Sequence, residues 1–187
     1  MPFRKMRERG VNICIGTDEA IADDAVNMWG AMKSAALLQT LTQADYELWP
    51  DASEILECVT RGGAQAMLQG DSLGRIAEGC LADAILIDLD TLAFTPLNNL
   101  ARQMVFCESG SSVELTMVAG RIVFQAGRVT GVDEKSLRAE ARQIFQSKQS
   151  SLDKAHLEAD QWLPYYREMY LRAARTPVGM RRRLDEI

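Results

Sequence analysis

An almost continuous apolar run, Val11-Asn12-Ile13-Cys14-Ile15, is the feature that most constrains the fold of this chain. Such a run is typical of a parallel strand that is buried on both faces. A short helix is predicted before it at residues 2–9, because Pro2 stands near the first helical position and Gly10 follows the end. The opening of the chain therefore predicts an α/β arrangement.

Two helices are predicted after this strand. Apolar residues between Val26 and Leu38 have helical spacing and predict a long amphipathic helix that opens at Asp23 or Asp24. A second helix is predicted from about residue 52 to residue 68. Gly62-Gly63 interrupts it, which predicts close packing of another segment at that point.

The middle of the chain changes to short strands and tight turns. Alternating apolar residues and glycine-containing turns at Gly120 and Gly127 predict a small antiparallel meander. A short helix is predicted at residues 97–104. The predicted strands are residues 74–76, 84–87, 113–118, 121–124 and 128–129.

From Asp133 onward the pattern is helical again. Leu137, Ala141, Ile144, Phe145 and Leu152 mark one apolar face, and Pro164 splits the segment. The aromatic-rich stretch from Trp162 to Tyr170 is predicted to pack either on a barrel portion that this chain lacks or across a dimer, because exposed apolar patches usually mark interfaces.

Composition excludes several classes of protein. A formal net charge of −5 and a pI of about 5.0 do not favour nucleic-acid binding. No stretch of about 20 apolar residues predicts a membrane span, and no apolar leader follows Met1, so a cytoplasmic location is expected. The four cysteines form no CxxC pair, which argues against a zinc finger and a disulfide framework.

The chain contains one histidine, His156. A site that needs several imidazoles cannot be built from this polypeptide alone. His156 belongs to the late helical segment, and we interpret it as an ordinary surface or interface residue.

Asp18 is the main candidate for chemistry, because it follows the buried strand directly in Gly16-Thr17-Asp18. In a (β/α)8 barrel the carboxyl ends of the strands carry the catalytic groups. A carboxylate there can ligate a divalent metal and accept a proton from water. The alternative is that Asp18 only caps its own loop or the following helix, and the spacing alone leaves both interpretations open.

Three ordered segments carry a family resemblance that covers roughly residues 4–135. Gly10–Leu38 resembles the last barrel strand and helix of the amidohydrolase superfamily, and Glu54–Ala66 is similar to the helices that follow. Leu73–Asp88 has the pattern G-x-I-x-x-G-x-x-A-D-x-x-x-x-D, which resembles the passage from the barrel into a small β-sandwich, and Val118–Val123 resembles that sandwich's V-x-G-R-x-V hairpin. The most similar branch contains chlorohydrolases, triazine hydrolases, and guanine and adenosine-type deaminases.

The resemblance implies an α/β plus small-β fold. Its parts would be the last β/α units of a TIM-like (β/α)8 barrel in residues 1–70, a portion of a β-sandwich in residues 71–132 and a C-terminal helical extension in residues 133–187. The combination of barrel and sandwich is composite and urease-like. It implies a hydrolase of which this chain is the C-terminal part.

The resemblance also implies the site. In this superfamily zinc or iron is held by a His-x-His pair, further histidines and an aspartate after the eighth strand, and of these only Asp18 has a counterpart here. Asp18 is thus the expected metal ligand and catalytic residue. Glu19 and Asn27 border the same site and are candidate substrate-binding residues, whereas Asp23 and Asp24 are interpreted as helix-capping residues.

Two hypotheses follow. In the first, the complete protein is a metal-dependent enzyme in which activated water attacks a purine-, pyrimidine- or triazine-like ring, with deamination or dechlorination as the outcome. One carboxylate cannot hold catalytic zinc, so this chain alone is expected to bind no metal and to be inactive. In the second, the chain is a non-catalytic assembly module derived from the same fold. A homo-oligomer is expected in either case. Residues 11–15 are also expected to be covered by a partner chain or by rearranged helices, because a bare strand exposes its edges and apolar faces.

Overall fold

The computed structural model describes residues 2–21, 25–42 and 44–177. The chain divides into two compact units, one that ends at Thr130 and one that begins at Gly131. The predicted division into three domains at residues 70 and 132 stays a prediction.

The first unit contains five α-helices, one short 3₁₀ helix and four strands within its described residues. In chain order they are α1 (Phe3–Glu8), α2 (Met28–Gln39), the 3₁₀ helix (Tyr46–Leu48), α3 (Ala52–Val59), α4 (Arg61–Ala66), β1 (Ala84–Ile87), α5 (Leu100–Phe106), β2 (Val113–Val118), β3 (Arg121–Gln125) and β4 (Arg128–Val129). The first helix and the meander are confirmed. The second predicted helix is present in two pieces, but the break lies at Thr60, and Gly62 and Gly63 lie inside α4 rather than interrupting the helix. The helix expected to open at Asp23 or Asp24 begins at Met28 instead, and these two aspartates lie outside the described residues.

The strand predicted at residues 11–15 is not formed in this structure. The assignment of residues 1–70 to the last units of a barrel stays a prediction. A strand needs a hydrogen-bonded neighbour, and the four-stranded sheet of the described residues does not include this segment. Helices cover it instead: Ile13 is buried beside Phe3 and Cys58, and the backbone N–H of Ile15 donates to the Cys58 carbonyl at 3.4 Å. Val11 remains 43% exposed, so the expected cover is partial.

The strand predicted at residues 74–76 is also wrong. Gly74 has a φ of +79°, which is outside the strand region, and the chain turns there. A Cβ at Gly74 would lie 2.8 Å from the Thr60 carbonyl oxygen and 2.9 Å from the Arg61 Cα. Glycine is therefore required at this position both for its backbone angle and for close packing on the start of α4.

The core of the first unit is helical. Its larger cluster joins α2, α3 and α5 through their apolar faces, and a smaller cluster of Phe3, Ile13 and Cys58 connects α1 to α3. The buried members of the larger cluster are Met32, Ala36, Ala52, Ile55 and Val105.

Gly62, inside α4, lies at a close approach between α4 and residues 12–13. A Cβ on Gly62 would lie only 2.3 Å from the carbonyl oxygen of Ile13, whereas a Cβ on Gly63 would meet nothing within 4 Å. The side chain of Asn12 donates to the Gly62 carbonyl at 3.0 Å. The close approach predicted from the glycine pair is confirmed, and it is what holds residues 12–13 against the helices.

Ion pairs fasten α1 to α3. Arg4 donates from both terminal nitrogens to the Glu54 carboxylate at 2.7 and 2.8 Å, and Arg7 donates to Glu57 at 2.7 Å. Glu54 also completes a capping box with Asp51 at the start of α3. Partial burial raises the pKa of Glu54, but the Arg4 and Asp51 hydrogen bonds outweigh that effect, so its pKa lies below the ordinary value.

The four strands form one antiparallel sheet in the order β1-β2-β3-β4. Each hairpin from β2 onward turns through an Ala-Gly pair in which both residues have positive φ, +49° and +76° at Ala119-Gly120 and +50° and +74° at Ala126-Gly127. Two successive positive φ angles are the signature of the two-residue hairpin turn whose twist matches the strands. The meander predicted from sequence is confirmed, whereas a complete β-sandwich stays a prediction.

The second unit contains α6 (Glu134–Asp160) and α7 (Leu163–Arg175). Asp133 caps α6 through hydrogen bonds from the backbone N–H groups of Lys135 and Ser136. No residue of either helix is buried. In the described part of the chain, no helix combines the length and apolarity that crossing a membrane demands.

Candidate functional site

A cleft of about 450 Å³ opens between the segment after residue 15 and one face of α2. Asp18 lines this cleft together with Asn27, Gly30 and Ser34. The volume lies within the range of small-molecule sites, about 300–1,000 Å³. The cleft therefore has room for a single heterocyclic ring, and it places the main sequence candidate on its wall.

Asp18 is exposed, and its Oδ1 accepts a hydrogen bond from the backbone N–H of Glu19 at 2.8 Å. No bond from Asp18 to the N-terminus of α2 is seen, so it does not cap that helix. Of the capping interpretation, only the hydrogen bond within its own loop, from the Glu19 N–H to Asp18, remains. Its role as metal ligand and catalytic residue stays a prediction.

Asn27 is held by backbone groups on both ends of its side chain. Its Oδ1 accepts from the backbone N–H groups of Trp29 at 2.8 Å and Gly30 at 3.2 Å, and its Nδ2 donates to the carbonyl of Ser109 at 3.0 Å. It is the N-cap of α2 and also borders the cleft. Glu19 is exposed and does not line this cleft. Substrate contacts by Glu19 and Asn27 stay predictions.

The loop after α5 supports the α2 end of the cleft. Glu108 is buried, and its carboxylate accepts from the backbone N–H groups of Gly110 and Ser112. Burial raises the pKa of Glu108, but the hydrogen bonds from Ser112 and the neighbouring backbone outweigh this, so the pKa is lowered overall. The ionised carboxylate therefore shapes the loop that presents the Ser109 carbonyl to Asn27 and packs Gly110 on the Trp29 ring.

The cleft by itself does not fit a catalytic metal. Among the described residues there is no group of three or more His, Cys, Asp or Glu side chains that could hold a metal ion. Asp18 supplies an oxygen ligand of the right type, but a catalytic zinc needs about three protein ligands. The remaining ligands must come from outside the residues described here, and no step through a metal is derived from this chain.

Beyond Asn27, the residues of α2 that line the cleft were not predicted from the sequence. Asn27, Ala31, Ser34 and Leu38 follow one another at spacings of three or four residues, which places them on one helical face. The same spacing was interpreted only as an amphipathic face for the core. The signal that could have separated the two is the small or polar nature of Gly30, Ala31 and Ser34, which leaves open space where a core face carries large side chains.

Comparisons with known proteins find the amidohydrolase family, deaminases and a chlorohydrolase. The family model described as "Amidohydrolase family" matches residues 1–123. The 5-methylthioadenosine/S-adenosylhomocysteine deaminase of Nitratidesulfovibrio vulgaris is 38% identical over 143 residues, which is 76% of this chain and 32% of that protein. The 5'-deoxyadenosine deaminase of Methanosarcina mazei is 35% identical over 141 residues, 75% of this chain and 32% of the relative.

Solved structures resemble this one over a similar span. An adenosine deaminase from Xanthomonas campestris with bound zinc superimposes with a TM-score of 0.75 at 28% identity, over 80% of this chain and 34% of that one. The atrazine chlorohydrolase from Arthrobacter aurescens TC1 complexed with zinc gives a TM-score of 0.69 at 26% identity, over 74% and 31% of the two chains. The chain thus spans about a third of the length of the curated relatives it matches.

Proposed function

The chain belongs to the amidohydrolase family, and from that premise we propose that the whole protein hydrolyses a carbon–nitrogen bond of an amino-substituted heterocycle. The preferred substrate class is an adenosine-type nucleoside, since the similar curated proteins are named as deaminases of such nucleosides. Dechlorination of a triazine-like ring is the second choice, because one of the similar structures is named a chlorohydrolase.

The observation that carries the proposal is the position of Asp18 on the wall of the cleft beside α2. In the proposed reaction, a water oxygen bonds to the ring carbon that carries the amine, and the C–N bond breaks. Asp18 accepts a proton from that water and returns it to the departing nitrogen, which leaves as ammonia. The same carboxylate would be one ligand of the family's divalent metal, zinc or iron, which would supply the activation of water once the complete ligand set is present.

The chain alone is not expected to be active, because its described residues supply one ligand where about three are needed. This leaves a second candidate function, a non-catalytic role in assembly. The observation that favours this alternative is the long, unburied helical pair of the second unit, whose size suits protein contacts better than chemistry.

A chimera separates the two candidates. The matching third of the Nitratidesulfovibrio vulgaris deaminase is replaced by this chain, and ammonia release from 5-methylthioadenosine is measured with zinc present. The proposal predicts turnover within about 100-fold of the parent deaminase, because a correctly placed carboxylate should restore general-base function.

The same chimera is checked for folding by circular dichroism and for bound zinc by elemental analysis. A folded, zinc-loaded chimera that releases no ammonia from adenosine-type nucleosides or from chlorotriazines would contradict the enzymatic proposal and leave assembly as the function. An unfolded chimera is replaced by a shorter graft of residues 10–68 alone, with the same two outcomes.

A further inference from the structure

The second unit forms a long helical arm, defined here as α6, Gln161, Trp162 and α7. The two connecting residues have right-handed helical backbone angles, φ −63° and ψ −25° at Gln161 and φ −91° and ψ −15° at Trp162. The helical phase therefore continues from one helix into the next. Because the arm does not fold back as a hairpin, it cannot cover its own apolar side chains, and none of them is buried.

A seam of side chains spaced by three or four residues runs along the whole arm. Such spacing, sustained over about ten turns, is the pattern of a helix that packs against another helix in a coiled coil. At 1.5 Å per residue the seam is about 54 Å long. Its members are Leu137, Ala141, Ile144, Lys148, Leu152, Ala155, Ala159, Trp162, Tyr166, Met169 and Ala173.

Most large members of this seam are open to solvent, and Leu152 is half-buried. Leu137 is 56% exposed, Ile144 53%, Trp162 60% and Met169 55%. A partner that covers these side chains would remove their apolar surface from water, which favours association.

We propose that the seam is a dimer interface in which the arm pairs antiparallel with the arm of a second copy of this chain. A two-fold axis near Ala155 pairs residues of the two copies whose residue numbers add up to about 310. In that register large side chains of one copy meet small ones of the other. The pairs are Leu137 with Ala173, Met169 with Ala141, Leu152 with Ala159, and Ala155 with its own counterpart.

The same register also places compatible groups at the remaining positions. Within the seam, Lys148 lies opposite Trp162, which accommodates its stem and offers a ring face to its charge. Ile144 lies opposite Tyr166, also within the seam. On the flanks, Phe145 meets Leu163, and Glu140 meets the opposite charge of Arg172.

A parallel pairing is less favourable on the same residues. It would set each seam residue against its own counterpart, so four alanine layers would leave gaps and the Lys148 pair would be two like charges in the seam. The antiparallel arrangement gives a closed, isologous interface, which is the common form of homodimer. The proposed dimer depends only on the residues of the arm and does not rest on the proposed enzymatic function.

The first test is the mass of the full chain in solution, measured by analytical ultracentrifugation over a concentration series. The wild-type chain is expected to be a dimer. Ile144→Asp should raise the dimer dissociation constant at least about 10-fold, because it places a charge in the seam. Leu157→Asp is the matched control, since Leu157 is 68% exposed on the opposite face of α6 and its replacement should change the constant less than about 2-fold.

A wild-type chain that stays monomeric at about 100 μM would overturn the proposal, since the coiled-coil seam would then be too weak to matter. Equal effects of Ile144→Asp and Leu157→Asp would overturn it as well, because the interface would not follow the seam. Circular dichroism of each variant establishes that α6 is still helical.

The second test is the register, read by disulfide cross-linking in a background where Cys14, Cys80 and Cys107 are serine. Ala155→Cys should cross-link to itself in the dimer. Ala141→Cys should not, but it should cross-link to Met169→Cys when the two variants are mixed. Efficient self-cross-linking of Ala141→Cys would show a parallel pair and overturn the proposed arrangement.

Discussion

Helices α3 and α6 have the same kind of N-cap but differ in how many of their side chains are buried. Both open on an aspartate whose side chain accepts backbone N–H groups, Asp51 for α3 and Asp133 for α6. The eight residues of α3 include three buried side chains, whereas the 27 residues of α6 include none. Local signals therefore suffice to define both helices. Among the described residues α3 has buried side chains and α6 has none, and the proposed dimer would supply α6 with the burial that α3 has already.

The largest effect is expected from Ile55→Ala in the core of the first unit, because Ile55 is 1% exposed. Its removal should lower the free energy of unfolding by about 3–4 kcal/mol through lost burial and a cavity. Ile144→Ala, at a side chain 53% exposed, should change the unfolding of the first unit by less than about 0.5 kcal/mol. Urea unfolding followed by Trp29 fluorescence measures both, with Trp49 and Trp162 replaced by phenylalanine. Similar losses in the two variants would erase the contrast between the units.

A smaller effect is expected from Gly62→Ala, because the new Cβ would lie 2.3 Å from the Ile13 carbonyl oxygen. Backbone must shift to relieve that contact, at a cost of about 1–3 kcal/mol of unfolding free energy. Gly63→Ala is the matched control, with nothing within 4 Å of the new atom, and should be neutral or stabilising by up to about 1 kcal/mol because alanine favours helix. Thermal or urea unfolding that ranks Gly63→Ala as the more damaging variant would show that residues 12–13 do not pack on α4 as described.

The smallest effect in the first unit is expected at Glu54, which joins α1 to α3 through Arg4. Its folded pKa is lowered, so the stability it contributes is present above the pKa of the unfolded chain, about 4.3, and is lost as the pH falls through the folded value. Glu54→Gln should therefore cost about 1–2 kcal/mol at pH 7 and less at pH 3. Urea unfolding of both proteins across pH 3–7 gives the difference. A gap that stays constant over this range would refute the assignment.

Much of the fold was readable from sequence because its signals are local. The glycine pairs at the hairpin turns, the apolar alternation of β2 and the spacing of α3 all depend on residues within one element. The apolar run at residues 11–15 was predicted to be a strand, but these residues do not form one in the structure. Strand formation depends on a neighbouring strand, and that information is not contained in the run itself.

The candidate site was predictable only in part. The carboxylate at Asp18 could be identified because it directly follows an apolar run, and the structure places it on the cleft. The other wall belongs to α2, for which the sequence predicted an amphipathic helix without assigning a role to Gly30, Ala31 or Ser34. Asn27, on the edge of the cleft, donates a hydrogen bond to the carbonyl of Ser109, 82 positions away. No local sequence pattern predicts a contact between segments so far apart in the chain.

The central claim is that Asp18 is the catalytic carboxylate of an amidohydrolase site. Its most direct measurement is kcat/KM for ammonia release by the deaminase chimera carrying Asp18→Asn, beside Glu8→Gln as the control, because Glu8 is exposed on α1 and does not line the cleft. Asp18→Asn should lower kcat/KM by at least about 100-fold, since it removes proton transfer, whereas Glu8→Gln should lower it less than about 2-fold. A folded Asp18→Asn chimera that keeps its kcat/KM would contradict the account.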